Sequence, residues 1–122
     1  MPRFVVLEHL WQAVHWDFML ERDGTLQTWA VDAPICSGIV LPARSLADHR
    51  LIYLDYEGTV SANRGTVRRW DQGTYQAVVW TPNQVRVILN GTQLVGEAEL
   101  WRSETGEIDR GFAWSLRLGN LD

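Results

Sequence analysis

Two dipeptides, Asp23-Gly24 and Asn90-Gly91, do most to limit what this chain can fold into. Each lies between stretches that read as strands: "HWDFMLER" and "TLQTWAV" around the first, "QVRVILN" and "TQLVGEAELWR" around the second. Asp-Gly and Asn-Gly accept the positive φ angles of a two-residue type I′ turn, so both sites read as β-hairpins. "RFVVLE", "LIYLDYEGTV", "GTVRRW", "TYQAVVW" and "FAWSLRL" are further strand-like stretches. The "DQG" between "GTVRRW" and "TYQAVVW" reads as a three-residue hairpin loop with Gly73 in the left-handed region. Only "HLWQAVHW" has the pattern of a helical turn. "DAPICSGIVLPARSLADH", with Pro34 and Pro42, reads as the main irregular connection. Short strands joined by tight turns predict an all-β fold, a compact antiparallel β-barrel of about seven to eight strands whose closure protects the sheet edges. No composition shift marks a boundary, and 122 residues suit a single domain, 1–122.

Charge narrows the classes of partner. The formal net charge is −4, which argues against non-specific wrapping of a polyanion. All eleven cationic side chains are arginine, a bias that GC-rich coding explains and that also suits a small site where forked guanidinium groups meet phosphate. No apolar stretch approaches the roughly 20 residues of a membrane span, so no membrane partner is expected. "MPRFVVLEHL" lacks the apolar core and cleavage site of a secretory signal, and the lone Cys36 cannot form an internal disulfide. Both point to the cytoplasm. Seven tryptophans suit core and half-buried strand positions.

The scarcest titratable groups are grouped. Two of the three histidines, His9 and His15, lie in "EHLWQAVHWDFMLE", and Asp17 follows the second by two residues. On a strand, His15, Asp17, Met19 and Glu21 share one face while Trp16, Phe18 and Leu20 line the other. The second set is a core face, and the first brings an imidazole and a carboxylate to one side. "LWQAV" is long enough to bring His9 back beside them. Two imidazoles and one carboxylate form the facial triad that suits Mn²⁺, Fe²⁺ or Zn²⁺ with positions left open for substrate. The spacing H-x5-H-x-D is equally met by a strand histidine that only makes hydrogen bonds. The third histidine, His49, precedes Tyr53 by four residues, so on a strand both would face one cavity. An imidazolium and a phenol there could donate to an anionic oxygen. Asp48 pairing with His49 at the surface, and Tyr53 packing in the core, is the alternative.

Taken together, "RFVVLEHLWQAVHWDFMLERDGTLQTWAV", "LADHRLIYLDYEGTV" and "RGTVRRWDQGTY" resemble the 3′-phosphoesterase domain of bacterial DNA ligase D, which also occurs free-standing. The likeness runs from Arg3 to about Tyr75 and continues more weakly through "LVGEAELWRS" to "FAWSLRL". The resemblance implies a compact β-barrel that binds Mn²⁺, or another divalent transition metal such as Zn²⁺. Such domains trim the 3′ end of a DNA or RNA primer strand in non-homologous end joining, beside DNA ligase and other end-joining proteins. They remove a terminal ribonucleoside and then hydrolyse the 3′-phosphate. The metal ligands of the motif fall on His9, His15 and Asp17, the phosphate-contacting histidine on His49, and the motif tyrosine on Tyr53.

Departures from the pattern matter as much. The family's "HYDFRLE" carries an arginine on the scissile phosphate where this chain has Met19, and a thioether makes no charge-assisted bond. Leu7 replaces a glutamine, Ala47 replaces an acidic residue, a glycine-rich loop has shrunk to "SANR", and the extension that precedes "RF" in ligase-linked members is expected to be missing. Arg44 and Arg64 are candidates to reach the phosphate from another direction. Two functions are therefore expected in competition: a Mn²⁺-dependent phosphoesterase with His49 and Tyr53 as its catalytic groups, or a metal-retaining binding or scaffold module with impaired catalysis. A metal-free sugar- or peptide-binding barrel using exposed tryptophans is a third, weaker alternative, with Trp11 flanking the site.

Overall fold

Both predicted hairpins form in the computed structural model, which describes residues 1–103 and 112–119, but only Asp23-Gly24 is itself the turn: Asn90 and Gly91 end a strand, and residues 92–94 make the second connection. The strands are β1 (Arg3–Trp11), β2 (Ala13–Arg22), β3 (Thr25–Val31), β4 (Val40–His49), β5 (Gly58–Thr59), β6 (Thr66–Thr81), β7 (Gln84–Gly91), β8 (Val95–Arg102) and β9 (Trp114–Gly119). Asp23 (φ 54°) and Gly24 (φ 82°) take the left-handed conformations that the first turn needs. Strand neighbours run β1-β2-β3-β4-β9-β8-β7-β6, and β6 returns to pair with β1. The predicted antiparallel barrel thus takes the form of a ring of eight strands, with the two-residue β5 attached to β6. Among the described residues, no helix is long and apolar enough to cross a membrane.

Alternation divides the apolar residues between two cores. Phe4 and Val6 of β1, Trp16, Phe18 and Leu20 of β2, Trp29 and Val31 of β3, and residues of all the other ring strands fill the interior. Trp16, Phe18 and Leu20 therefore form the core face expected of them. Val5, Leu7, Met19, Leu26 and Val67 point the other way and make a second, smaller core with Leu54. A sheet that is apolar on both faces must be covered on both. Segment 50–65 supplies the outer cover, with Tyr53, Tyr56 and Val60 packed against this second core.

That cover breaks the expected strand. "LIYLDYEGTV" is not one strand: Leu51–Leu54 is a 3-10 turn, with Tyr53 N–H donating to Arg50 O (3.1 Å) and Asp55 N–H to Ile52 O (3.1 Å). The turn lays Leu54 and Tyr53 together on the outer core, where strand alternation would put them on opposite faces. "DQG" is not a loop either, because β6 runs through it for 16 residues. Gly73 serves close packing rather than a turn, since a Cβ there would lie 2.1 Å from Asn90 O of β7. The connection "DAPICSGIVLPARSLADH" contains β4. Pro42 precedes Ala43, where pairing with β3 begins, so on that side there is no ladder for its missing N–H to break. "HLWQAVHW" forms no helical turn. It is the tip of the β1–β2 hairpin, with Gln12 at φ 64°.

Candidate metal centre

The β1–β2 register sets the site. Leu7 pairs with Asp17, His9 with His15 and Trp11 with Ala13, so the turn at Gln12 puts the two imidazoles directly opposite each other. Side chains of directly opposed residues share a face. His9 therefore lies on the face of Val5 and Leu7, while His15 and Asp17 lie on that of Met19. The site is on the outer face of the ring wall, beyond the end of the second core.

Three ligand-capable side chains converge there. His9 Nδ1 is 3.1 Å from His15 Nε2, His15 Nε2 is 3.1 Å from Asp17 Oδ1, and His9 Nδ1 is 3.6 Å from Asp17 Oδ2. Ligands about 2.1 Å from a shared ion lie about 3.0 Å apart at right angles and about 3.4 Å apart in a tetrahedron. The observed separations fit both arrangements. Asp17 is only 2% exposed, and its Oδ1 is buried without a hydrogen bond. A buried carboxylate with one orphaned oxygen, grouped with two imidazole nitrogens, is a donor set suited to a divalent cation.

The surroundings fix the orientation of the ligands. His9 Nε2 donates to the backbone carbonyl of Arg64 at 2.6 Å, which leaves the Nδ1 lone pair aimed at the site. Gly65 (φ 81°) makes this approach possible: a Cβ there would lie 1.9 Å from Leu10 O. Burial pushes the Asp17 carboxyl up, but His15 and His9 outweigh it and hold the group below the usual carboxylate range. Asp17 in turn raises the His9 imidazole against its partial burial, and the Arg64 carbonyl adds to the rise.

The candidate metal ligands, catalytic groups and phosphate-binding arginines border one cavity of about 290 Å³: His9, His15, Asp17, His49, Tyr53, Arg44 and Arg64. His49 ends β4 rather than starting a strand, and Tyr53 comes from the 3-10 turn. Their rings nevertheless meet edge to face, with centroids 5.8 Å apart. His49 Nδ1 donates to Ala47 O at 2.9 Å. Asp48, the surface alternative for His49, accepts instead from Thr25 Oγ1 at 3.2 Å. The Arg64 guanidinium is engaged with Ser61, through its carbonyl (2.9 Å) and its Oγ (3.2 Å). Sequence reasoning missed the Arg64 carbonyl and Asp32, which lies 3.6 Å from the Arg44 guanidinium. A backbone acceptor leaves no mark in residue identity, whereas the hairpin register, extended to β4, was the available signal for Asp32. In a larger hollow of about 1210 Å³ beside Gln84, Glu99 and Arg117, the Glu99 carboxylate accepts from Gln84 (2.8 Å) and Arg117 (3.2 Å).

Comparison with known proteins agrees with the geometry. Residues 7–102 match the family described as the DNA Ligase D 3′-phosphoesterase domain. The multifunctional non-homologous end joining protein LigD of Mycobacterium bovis is 36% identical over 109 residues, covering 82% of this chain and 14% of that protein. The multifunctional non-homologous end joining DNA repair protein LigD of Mycobacterium tuberculosis (strain CDC 1551 / Oshkosh) gives the same figures: 36%, 109 residues, 82% and 14%. LigD of Pseudomonas aeruginosa is 38% identical over 85 residues, 66% of this chain and 10% of that protein. The chain thus spans about a seventh or less of the length of these relatives. With the fold, the triad and the match over 7–102 in agreement, the chain belongs to the DNA ligase D 3′-phosphoesterase domain family.

Proposed function

We propose that this protein is a Mn²⁺-dependent phosphoesterase that hydrolyses 3′-phosphate and 3′-ribonucleoside ends of nucleic acid, in the cytoplasm, during end-joining DNA repair. The observation that carries the reading is the convergence of His9, His15 and Asp17 within 3.1–3.6 Å at a cavity that His49 and Tyr53 also border. In this reading those three residues hold the divalent ion. When bound, such an ion supplies positive charge to a phosphoryl oxygen and lowers the pKa of water.

The remaining work falls to the chain's own groups. With Nδ1 committed to Ala47 O, His49 has Nε2 left to carry a proton to the leaving oxygen. A water oxygen bonds to phosphorus, the bond from phosphorus to the 3′ oxygen breaks, and that oxygen takes the proton from His49, which the proton lost by the water then replaces. The products are a 3′-hydroxyl and inorganic phosphate. Tyr53 packs edge-on against the His49 ring and holds its orientation. Arg44 and Arg64 border the same cavity and are the guanidinium groups available to the substrate anion. The apolar wall at Leu7, Met19 and Val67 limits water around the reacting group.

One observation favours a second reading. Met19 is 1% exposed and packed with Leu7, Leu54 and Val67, so no charge stands at the position where the family motif carries arginine. A metal-retaining scaffold with impaired turnover would have the same triad. Incubation of a 3′-phosphorylated oligonucleotide with the protein and Mn²⁺ separates the two. Catalysis releases inorganic phosphate, and His15→Ala abolishes the release. A folded, Mn²⁺-loaded protein that leaves every 3′-phosphate and 3′-ribonucleoside end intact would contradict the enzymatic reading and support the scaffold.

A further inference from the structure

The register across three strands places one loosely paired guanidinium on the β3–β4 side of the triad. Asp17 of β2 pairs with Ala30 of β3, and Ala30 pairs with Arg44 of β4. Trp29, Val31 and Ala43 belong to the ring interior, so Ala30 and Arg44 lie on the outer face with Asp17. Two interstrand steps separate Asp17 from Arg44, about 9–10 Å at the backbone. Only the methyl of Ala30 stands between them. Ala30 is fully buried, an arginine side chain spans that distance, and Arg44 borders the same cavity as Asp17.

The commitments of the two bordering guanidiniums differ. Arg64 is bound to Ser61 through both Nε and a terminal nitrogen. Arg44 has a buried Nε without a hydrogen bond, and a terminal nitrogen 3.6 Å from the side chain of Asp32, itself 61% exposed. The Phe112 ring lies 5.2 Å from its guanidinium carbon and supports the plane from one side. A forked cation held loosely by an exposed carboxylate is ready to exchange that partner for a better anion.

We propose that Arg44 is the phosphate clamp of this site, donating two parallel N–H bonds to the non-bridging oxygens of a terminal phosphomonoester. Asp32 holds the guanidinium while the anion is absent and releases it when the anion arrives. This inference rests on the phosphoesterase reading and deepens it, because it moves substrate recognition from β2 to β4. The position of the clamp also sets polarity: phosphate lies on the β3–β4 side of the triad, and Trp11, stacked 6.2 Å from His9, lies on the other.

The test measures three quantities on the Mn²⁺-loaded protein: Mn²⁺ affinity, competitive inhibition by inorganic phosphate, and kcat/KM on a 3′-phosphorylated oligonucleotide. Arg44→Ala is expected to lower kcat/KM about 100-fold and weaken phosphate inhibition at least about 10-fold, with Mn²⁺ affinity unchanged. Arg68→Ala removes the same charge from an exposed pair with Glu8 and is expected to change none of the three. Arg44→Lys keeps charge but loses the fork, so it restores only part of the loss. Equal behaviour of Arg44→Ala and Arg68→Ala, or full rescue by lysine, would overturn the clamp while the phosphoesterase reading stands. A wild-type protein that binds Mn²⁺ but neither binds phosphate nor turns over would overturn the underlying reading, and the clamp with it.

Discussion

Asp17 and Asp71 are both buried, at 2% and 3% exposure, yet they do opposite things with their oxygens. Asp71 lies where β6 passes from β1 to β7. Its Oδ1 accepts the backbone N–H of Thr92 (3.0 Å) and Gln93 (3.1 Å), and its Oδ2 that of Leu94 (2.8 Å). It stands in for a missing strand partner and closes the β7–β8 turn. Asp17 takes no backbone donor among the hydrogen bonds of the described residues, and it faces two imidazole nitrogens at 3.1 and 3.6 Å. Both carboxylates face the cost of burial, which Asp71 meets through saturated hydrogen bonds to backbone amides and Asp17 through the His15 and His9 imidazoles that favour its charged form. Burial alone therefore does not mark function. The identity of what answers the buried charge does.

Removing each carboxylate in turn is the strongest way to break that contrast. Asp17→Ala should weaken Mn²⁺ binding by more than about 100-fold and abolish phosphate release, while cooperative unfolding persists. Asp71→Ala should do the reverse: about 3 kcal/mol of stability is lost with three amides left unanswered, and Mn²⁺ stoichiometry is kept, as thermal melts and metal titration would show. Gly65→Ala comes next. Its Cβ would collide with Leu10 O, the loop would shift, and the Arg64 carbonyl would leave His9. A roughly 10-fold loss of Mn²⁺ affinity is expected, read by calorimetry. The smallest effect belongs to Arg68→Ala. Arg68 is 71% exposed in its pair with Glu8, and denaturant melts should change by less than about 0.5 kcal/mol.

The sequence made the hairpins and the triad legible because both depend on local rules. Asp23-Gly24 carries its turn chemistry in two residues, and His15-x-Asp17 carries its face in strand alternation; Asn90-Gly91 marks the second hairpin, but its two residues end β7 and the turn falls on residues 92–94. What was illegible depends on partners distant in the chain. Gly73 and Asp71 look like turn residues, but one makes room for Asn90 O and the other caps a turn about twenty residues away. "LIYLDYEGTV" has strand composition, and the outer core folds it into a 3-10 turn because Leu54 is needed against Leu7 and Met19. His49 and Tyr53 reach one cavity by a route different from the shared strand face first expected, the end of β4 and the following turn. Pro42 looked like a strand breaker, and only the register shows that it lies just outside the β3 ladder.

The central claim is that His9, His15 and Asp17 share one divalent ion. Calorimetric titration of the wild-type protein and of Asp17→Asn with Mn²⁺ tests it most directly, since the amide preserves shape and removes the charge. The account expects a single saturable site in the wild type and its loss in Asp17→Asn, both proteins remaining folded. A folded wild type that takes up no Mn²⁺, or an Asp17→Asn variant that binds it equally well, would contradict the claim.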